Sequence, residues 1–240
     1  VALAGSGEFL PVMEPVDRAL LHGRSPRAAF IPTAAALEGD DRIAYWLDLG
    51  RRHFEAMGVE PVPVPVRTRD DADSPEMAAL IDGAGLVYLS GGNPHYLAAT
   101  LRGTALWRAI AEAWASGAAL AGCSAGAMAL SAGAPPQLLG DRSAGIDVGA
   151  GHNGLGAVPG LAVIPHFDQM ERWRPQVVED YLRWLPSGTT LVGVDEETAL
   201  VSRDGAWEVV GERSVWALDA QGRRTPFEAG DRLTLPAPPA

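Results

Sequence analysis

Gly122-Cys123-Ser124-Ala125-Gly126 is the segment of this chain best built for nucleophilic chemistry. It is a G-x-S-x-G match between an apolar run, Ala118–Gly122, and an Ala-rich run, Ala125–Leu130, which read as a strand and a helix. A nucleophile on a tight strand-to-helix turn sits in a strained backbone, and its neighbours must be small so that the chain can fold back closely. The turn exposes Ser124 Oγ and leaves the Ala125 amide, at the start of the helix, free to stabilise an oxyanion. A plain glycine-rich turn has the same five-residue pattern, so the strand-then-helix context carries the functional reading. Cys123 is the rival nucleophile, because a thiolate is intrinsically more reactive. The elbow, however, centres on its third position, and the side chain before it points into the structure.

A serine hydroxyl needs a base. Of the five histidines, His166 stands out. It follows the apolar run Leu161–Ile164 in the sequence IPHFD, and sites in open α/β sheets gather at the C-terminal ends of strands. Pro165 stiffens that turn and Phe167 can wall a pocket. His152, in AGHNGLG, is the reserve candidate. His53 lies in a surface helix and His22 in an early polar stretch, so both read as solvent-facing or structural. His95 follows a Gly-Gly-Asn turn and reads as a pocket-lining residue. For the acid, VGVDEETAL offers Glu196 just past a strand, with Asp195 and Glu197 beside it. The chain order Ser, Asp, His would instead need a residue such as Asp147, and composition does not decide among them. A second oxyanion donor is expected in Leu89–Asn93, LSGGN, where glycines let backbone amides approach a substrate oxygen; Gly92 is the choice.

These residues need a scaffold that brings strand ends together. Apolar, strand-like runs occur at Val1–Gly5, Arg27–Pro32, Gly85–Ser90, Ala118–Gly122, Leu161–Ile164 and Thr190–Val194. Val59–Val66 carries prolines at 61, 63 and 65 and reads as an edge strand or an extended loop. Helical spacing spans Asp40–Met57, Tyr96–Leu101, Ala105–Ser116 and Gln169–Leu185, and Ser74-Pro75 opens a short helix through Ile81. The alternation predicts an α/β fold with a mostly parallel, doubly wound sheet, placing Ser124, His166 and Glu196 at one sheet edge. Ser131–Pro159 is rich in Gly, Ala and Pro and is expected to be an elaborated loop region with one or two short strands. Thr198–Ser202, Trp207–Val210, Ser214–Leu218 and Arg232–Leu235 read as short strands joined by turns at Asp204-Gly205, Gly211-Glu212 and Gln221-Gly222. Residues 198–236 are therefore expected to be an antiparallel hairpin extension of a single domain covering 1–240, with PAPPA as a loose tail.

The formal charge of −11 opposes a general role in binding nucleic acid or an anionic membrane surface, since both need a positive field. No apolar run approaches the roughly 20 residues that span a bilayer. No basic-then-apolar leader opens the chain, and a cytoplasmic location is expected. With Cys123 as the single cysteine, an intrachain disulfide is impossible. Clustered Cys/His spacing for zinc is absent, and GSGEF is no complete dinucleotide fingerprint, so no metal or cofactor is expected.

Four segments in order, LSGGNPHYL, GCSAGAMAL, IPHF and VGVDEETAL, resemble the peptidase S51 family, which contains dipeptidase E and cyanophycinase. GLGAVPG at 154–160 adds to the likeness, which covers nearly the whole chain. The hairpin-rich end is more similar to cyanophycinase than to dipeptidase E. Ile164 and Pro165 stand where cyanophycinase has an Asp-Gln pair, and Pro94 stands where a Gln is common, which counts against cyanophycin as substrate. The resemblance implies a class I glutamine-amidotransferase-like, Rossmann-like fold. It implies Ser124 as nucleophile, His166 as base, Glu196 as acid, and the Gly92 and Ala125 amides as the oxyanion hole. Asn93 and His95, in and just after the Gly-Gly-Asn turn, are expected to contact substrate, and the resemblance adds Arg172 and Arg174 on the helix after the histidine. Arginine suits an acidic group because its planar fork grips a carboxylate bidentately. The function expected is a serine peptidase acting on short peptides or isopeptides with an acidic, Asp-type residue at the cleaved bond. A different amide or ester hydrolysis at the same site, and a non-catalytic amidotransferase-like binding protein, are the alternatives. The expected partner is a small peptide substrate; a homodimer stays open.

Overall fold

A strand buried on both faces must alternate its side chains between two cores, and the central strands of this chain do so. The computed structural model describes residues 1–138, 153–185, 187–203 and 205–236. Strands β1 (Ala2–Ala4), β2 (Arg27–Ile31), β3 (Glu60–Pro63), β4 (Leu86–Leu89) and β5 (Ala119–Cys123) run parallel in the order β1-β5-β4-β2-β3. Between them and after them come helices α1 (Glu14–Leu21), α2 (Asp40–Ala56), α3 (Arg69–Ala72), α4 (Pro75–Ala79), α5 (Pro94–Leu101), α6 (Ala105–Ala115) and α7 (Ala125–Leu130). On one face Phe30, Tyr88 and Cys123 pack with Val16 and Leu20 of α1 and Phe54 of α2. On the other, Ile31, Leu89 and Leu120 pack with Leu97 of α5 and Leu106 and Ile110 of α6. A one-residue slip of any of these strands would exchange its two side-chain sets, so the two cores fix the register. Each fully buried Leu, Ile or Phe contributes roughly 1.5–3 kcal/mol.

The rest of the chain follows as β6 (Leu161–Ile164), α8 (Phe167–Trp173), α9 (Val177–Trp184), β7 (Thr190–Val194), β8 (Thr198–Arg203), β9 (Ala206–Gly211), β10 (Val215–Leu218), β11 (Arg224–Phe227) and β12 (Arg232–Leu233). The fold is the α/β class expected, with a mostly parallel sheet and antiparallel C-terminal strands, but those strands divide between two sheets. β8, β9 and β12 extend the main sheet antiparallel from β1, giving β12-β9-β8-β1-β5-β4-β2-β3. β10 and β11 join β7 and β6 in a second sheet ordered β11-β10-β7-β6. The expectation that the strands before His166 and Glu196 share one sheet edge with the Ser124 strand is thereby corrected. β5 is already paired by β1 and β4, and β8 occupies the free edge of β1, so β6 and β7 have no place beside them and pair with each other.

The expected helix over Gln169–Leu185 is two helices, α8 and α9. Pro175 lies between them; it lacks an amide hydrogen and forces the residue before it out of helical geometry, as Arg174 demonstrates at φ −142°, ψ 83°. Helix α1, with Pro15 in its first turn, was not read in the sequence; neither were α3 or β11, an exposed edge strand containing Pro226. Asp204 of the expected Asp204-Gly205 turn and residues 237–240 of the tail lie outside the described residues. Pro236, at the start of that tail, accepts a hydrogen bond from Trp207 Nε1 at 3.0 Å. Among the described residues no helix is long and apolar enough to cross a membrane.

The crossing of α7 over β4 and β5 is a point of close backbone approach. A Cβ on Gly126 would lie 2.1 Å from the Leu89 carbonyl oxygen, and one on Gly122 would lie 2.5 Å from the Gly126 carbonyl. Gly126→Ala should therefore destabilise the protein by roughly 1–3 kcal/mol, the cost of overpacking against backbone, although alanine gains about 1 kcal/mol in helix propensity. Calorimetry should register this as a fall in melting temperature of roughly 2–4 °C per kcal/mol; a melting temperature at or above wild type would contradict the close approach.

Candidate active site

Ser124 leaves β5 at the C-terminal edge of the main sheet, where Cys123 is in register with Ala4 and Gly122 with Leu89. Its backbone sits at φ 51°, ψ −110°, and its amide donates to the Ala4 carbonyl at 2.9 Å. The described non-glycine residues with positive φ are Phe9, Ser124, His166 and Glu197. All four lie in or beside this site, and conformations of this kind cost on the order of 1–3 kcal/mol each. Cys123 is fully buried, facing the α1–α2 core. Its thiol donates to Glu8 Oε2 at 2.9 Å, and burial together with that carboxylate pushes its pKa well above the ordinary thiol value.

His166 follows β6 in left-handed geometry, φ 49° and ψ 38°, at the start of α8. Its Nε2 lies 3.0 Å from Ser124 Oγ and its Nδ1 lies 2.9 Å from Glu196 Oε1. With Nδ1–H donating to the carboxylate, Nε2 is free to accept the serine proton. Glu196 is placed by a neighbour that sequence reasoning missed. Asp168 Oδ1 accepts the Glu196 amide at 2.9 Å, while its Oδ2 is held by the Arg213 guanidinium. The other two acids of VGVDEETAL face elsewhere. Asp195 accepts from Trp216 Nε1 at 3.0 Å and the Ser214 amide at 3.3 Å, and burial raises its pKa. Glu197 pairs with Arg213 at 3.9 Å. Asp147 and His152 lie outside the described residues.

The backbone amides of Gly92 and Ala125, near Ser124, have no hydrogen-bond partner among the described residues. Gly91, where an added Cβ would lie 3.4 Å from the Ser124 Cβ, gives its amide to Glu8 Oε1 at 2.8 Å. Ser124 and His166 open onto a cleft of about 370 Å3 whose other walls include Glu8, Leu10, Arg42, Tyr45 and Trp46. The Arg42 guanidinium lies 5.1 Å from the centroids of both the Tyr45 and Trp46 rings, and its Nε is 3.3 Å from Glu38. Trp173, 56% exposed, sets its ring 5.5 Å from that of His166. A larger hollow of about 620 Å3, lined by Gly85 and Ala118 at the opposite strand ends, contains no Ser, His and carboxylate combination of this kind.

The other sequence-selected residues are not brought to the cleft. Asn93 caps α5, its Oδ1 accepting the Tyr96 amide at 3.0 Å. His95 is 2% exposed, and burial lowers its pKa; it does not line the cleft. Arg172 and Arg174 are exposed at the end of α8 and do not line it either. His22 is exposed, whereas His53 is buried and hydrogen-bonded to Asp17 at 2.8 Å, a structural pair joining α1 and α2. Glu8 and Asp168 were detectable in principle: one follows β1 as His166 follows β6, and the other is two residues past His166. Nothing in the local sequence marks Arg42, Tyr45 or Trp46. Among the described residues no group of three or more His, Cys, Asp or Glu is placed to hold a metal ion.

A serine on a strand-to-helix elbow, joined through histidine to a carboxylate on an α/β scaffold, is the architecture of the nucleophile-elbow hydrolases. Peptidase family S51 matches the chain over residues 1–210, and the chain belongs to that family. Cyanophycinases of Trichormus variabilis and of a Nostoc species are each 31% identical over 175 residues, 70% of this chain and 56% of theirs. The chain thus spans little more than half the length of these curated relatives. The crystal structure of a peptidase from an acI-B1 Actinobacterium is similar over 97% of this chain and 95% of its own, at 40% identity and a TM-score of 0.86. That of a putative peptidase E protein from Listeria monocytogenes EGD-e is similar over 88% and 96%, at 20% identity and a TM-score of 0.64, a likeness of fold.

The buried, carboxylate-facing thiol makes a direct prediction. Folded protein should resist iodoacetamide at Cys123, and unfolded protein should alkylate there readily. Mass spectrometry of timed samples checks this; rapid native labelling would place Cys123 at the surface and return it to the list of nucleophiles.

Proposed function

We propose that this chain is a serine peptidase that forms an acyl-enzyme on Ser124 and cleaves short peptides or isopeptides with an acidic residue at the cleaved bond. The observation that carries the reading is the unbroken chain from Ser124 Oγ through His166 to Glu196, at 3.0 and 2.9 Å, beside two uncommitted amides. In this reading Ser124 attacks the carbonyl carbon as His166 Nε2 takes its proton. The carbonyl oxygen, now negative, is received by the amides of Gly92 and Ala125. His166 then gives its proton to the leaving amine, and a water repeats the sequence to release the acyl group. Glu196 holds the imidazole in the tautomer that leaves Nε2 free and stabilises its cation.

The substrate class draws on the relatives, two of which are cyanophycinases, and on the cleft itself. Arg42 lines it, paired through Nε with Glu38, and its guanidinium rests on two aromatic faces that leave the rest of its fork for a substrate carboxylate. Because His166 protonates the departing amine, the exposed Trp173 beside it belongs to the leaving-group side. Arg172 and Arg174, exposed on the same helix end and outside the cleft wall, are within reach only of a substrate that extends beyond the cleft. Leu10 and Tyr45, exposed apolar side chains at the cleft, suit the apolar parts of a short peptide.

A screen of Asp-X, Glu-X, β-Asp-X and neutral dipeptides against wild type, Ser124→Ala and Glu196→Gln tests the proposal. Wild type should prefer the acidic members. Ser124→Ala should lose more than ~10³-fold in kcat/KM, and Glu196→Gln should lose roughly 10³–10⁴-fold, mostly in kcat. Turnover surviving in Ser124→Ala would overturn the mechanism, and hydrolysis confined to neutral peptides or esters would overturn the substrate class.

A further inference from the structure

Glu8 is a carboxylate at the heart of the cleft that the proposed mechanism does not use. It is 6% exposed, lies just past β1, and spends both oxygens on neighbours of the nucleophile. Oε1 accepts the Gly91 amide at 2.8 Å, and Oε2 accepts the Cys123 thiol at 2.9 Å. One side chain thereby ties the loop after β4 to the elbow after β5. Those two loops must converge if amides from both are to meet one oxygen.

We propose that Glu8 is a positioning residue for the oxyanion hole: by taking the Gly91 amide out of competition and fixing that peptide, it aims the Gly92 amide at the carbonyl oxygen of the substrate. The inference rests on the peptidase reading above. The Gly92 amide is flanked by two committed ones, Gly91 on Glu8 and Asn93 on the Ala34 carbonyl at 2.7 Å. Gly92 has φ 137°, and a Cβ there would lie 2.3 Å from the Ala34 oxygen, so its backbone has little freedom once both neighbours are held. Gly91 separates the carboxylate from the nucleophile. A Cβ built on it would be 2.9 Å from Glu8 Oε1 and 3.8 Å from Ser124 Oγ. Glu8 therefore acts through the backbone and takes no proton from Ser124.

Glu8 is itself held from behind. Phe9, at φ 62°, turns its ring into a cluster with Phe30, Phe54 and Tyr88, at centroid distances of 5.6, 5.7 and 5.1 Å. Burial of the Phe9 ring and its aromatic contacts offset the cost of the left-handed backbone, so the anchored conformation wins. With Phe9 pointing into the core, Glu8 is presented to the cleft.

The test compares Glu8→Gln, Glu8→Leu and wild type for kcat and KM on the best dipeptide, for affinity to the matching dipeptide boronic acid, and for the rate of fluorophosphonate labelling of Ser124. Gln keeps an acceptor for Gly91 and should stay within a few-fold of wild type. Leu leaves the Gly91 amide free and should lower kcat, boronate affinity and labelling rate together by roughly 10–100-fold with little change in KM, as expected for a misaimed donor. Should Glu8→Leu fail to fold, Glu8→Asp, one methylene shorter, should give the same kcat-specific loss. A folded Leu or Asp variant with wild-type kcat would overturn the proposal, and so would a Gln variant as impaired as Leu, which would assign the role to charge. Failure of wild type to label, or turnover in Ser124→Ala, would bring down the peptidase reading and this inference with it.

Discussion

The close approach of α7 to the ends of β4 and β5 is the constraint on which the site depends. Two glycines permit it, and no side chain larger than hydrogen fits at either. The consequence is a backbone at Ser124 that an L-residue adopts only under compulsion, with the hydroxyl facing the cleft and the neighbouring thiol sealed in the core. Strain of on the order of 1–3 kcal/mol persists there because the crossing is fixed by packing on both faces of the sheet. The serine, the buried cysteine and the uncommitted Ala125 amide are three results of a single steric fact.

The partners of Ser124 come from a different sheet. His166 and Glu196 follow β6 and β7, which pair in parallel and are extended by β10 and β11 rather than by the main sheet. Their approach to Ser124 is therefore a matter of docking between sheets, and the backbone accommodates it locally: His166 and Glu197 both take positive φ. Asp168 and Arg213 secure the junction. Asp168 receives the Glu196 amide from the turn after β7 and the guanidinium from the turn before β10, so a short polar network links the elements that hold the proposed base and acid. Such a network acts mainly by limiting the positions open to Glu196, since partly exposed ion pairs contribute little stability.

A third layer of positioning comes from the loop after β1. Phe9 commits that loop to the aromatic core between the sheet and α1–α2, and Glu8 then reaches the loop after β4 and the elbow after β5. Three consecutive strand ends in space, β1, β5 and β4, are thus bridged by one buried carboxylate. Parallel strands present their C-terminal ends together, and side chains and amides from adjacent loops can converge there without any long excursion of the chain.

Local sequence determined the elements that carry the chemistry. Val, Ile, Leu and Ala runs with glycine just past them fix β4 and β5, the Gly-x-Ser-x-Gly spacing fixes the elbow, and β6 and β7 occur at the residues read from the sequence, Leu161–Ile164 and Thr190–Val194. The pairing of those strands was not legible, because an apolar strand presents the same pattern in whichever sheet it is buried. Nor could sequence choose among Asp195, Glu196 and Glu197 from their chemistry alone. One residue of offset turns a side chain through a large angle, and only the pairing and packing within the second sheet decide that Asp195 meets Trp216 while Glu196 meets His166. His95 and Asn93 illustrate the same limit: their position after a glycine turn marks a loop at the site, yet the helix they begin turns one into the core and makes the other its cap. Arg42, Tyr45 and Trp46, on α2, reach the cleft only through the packing of that helix on the sheet. Short-range steric rules act within a few residues and are written in the sequence. Which side chains face one another across separate elements is set by how whole surfaces pack, and that is a property of the folded chain.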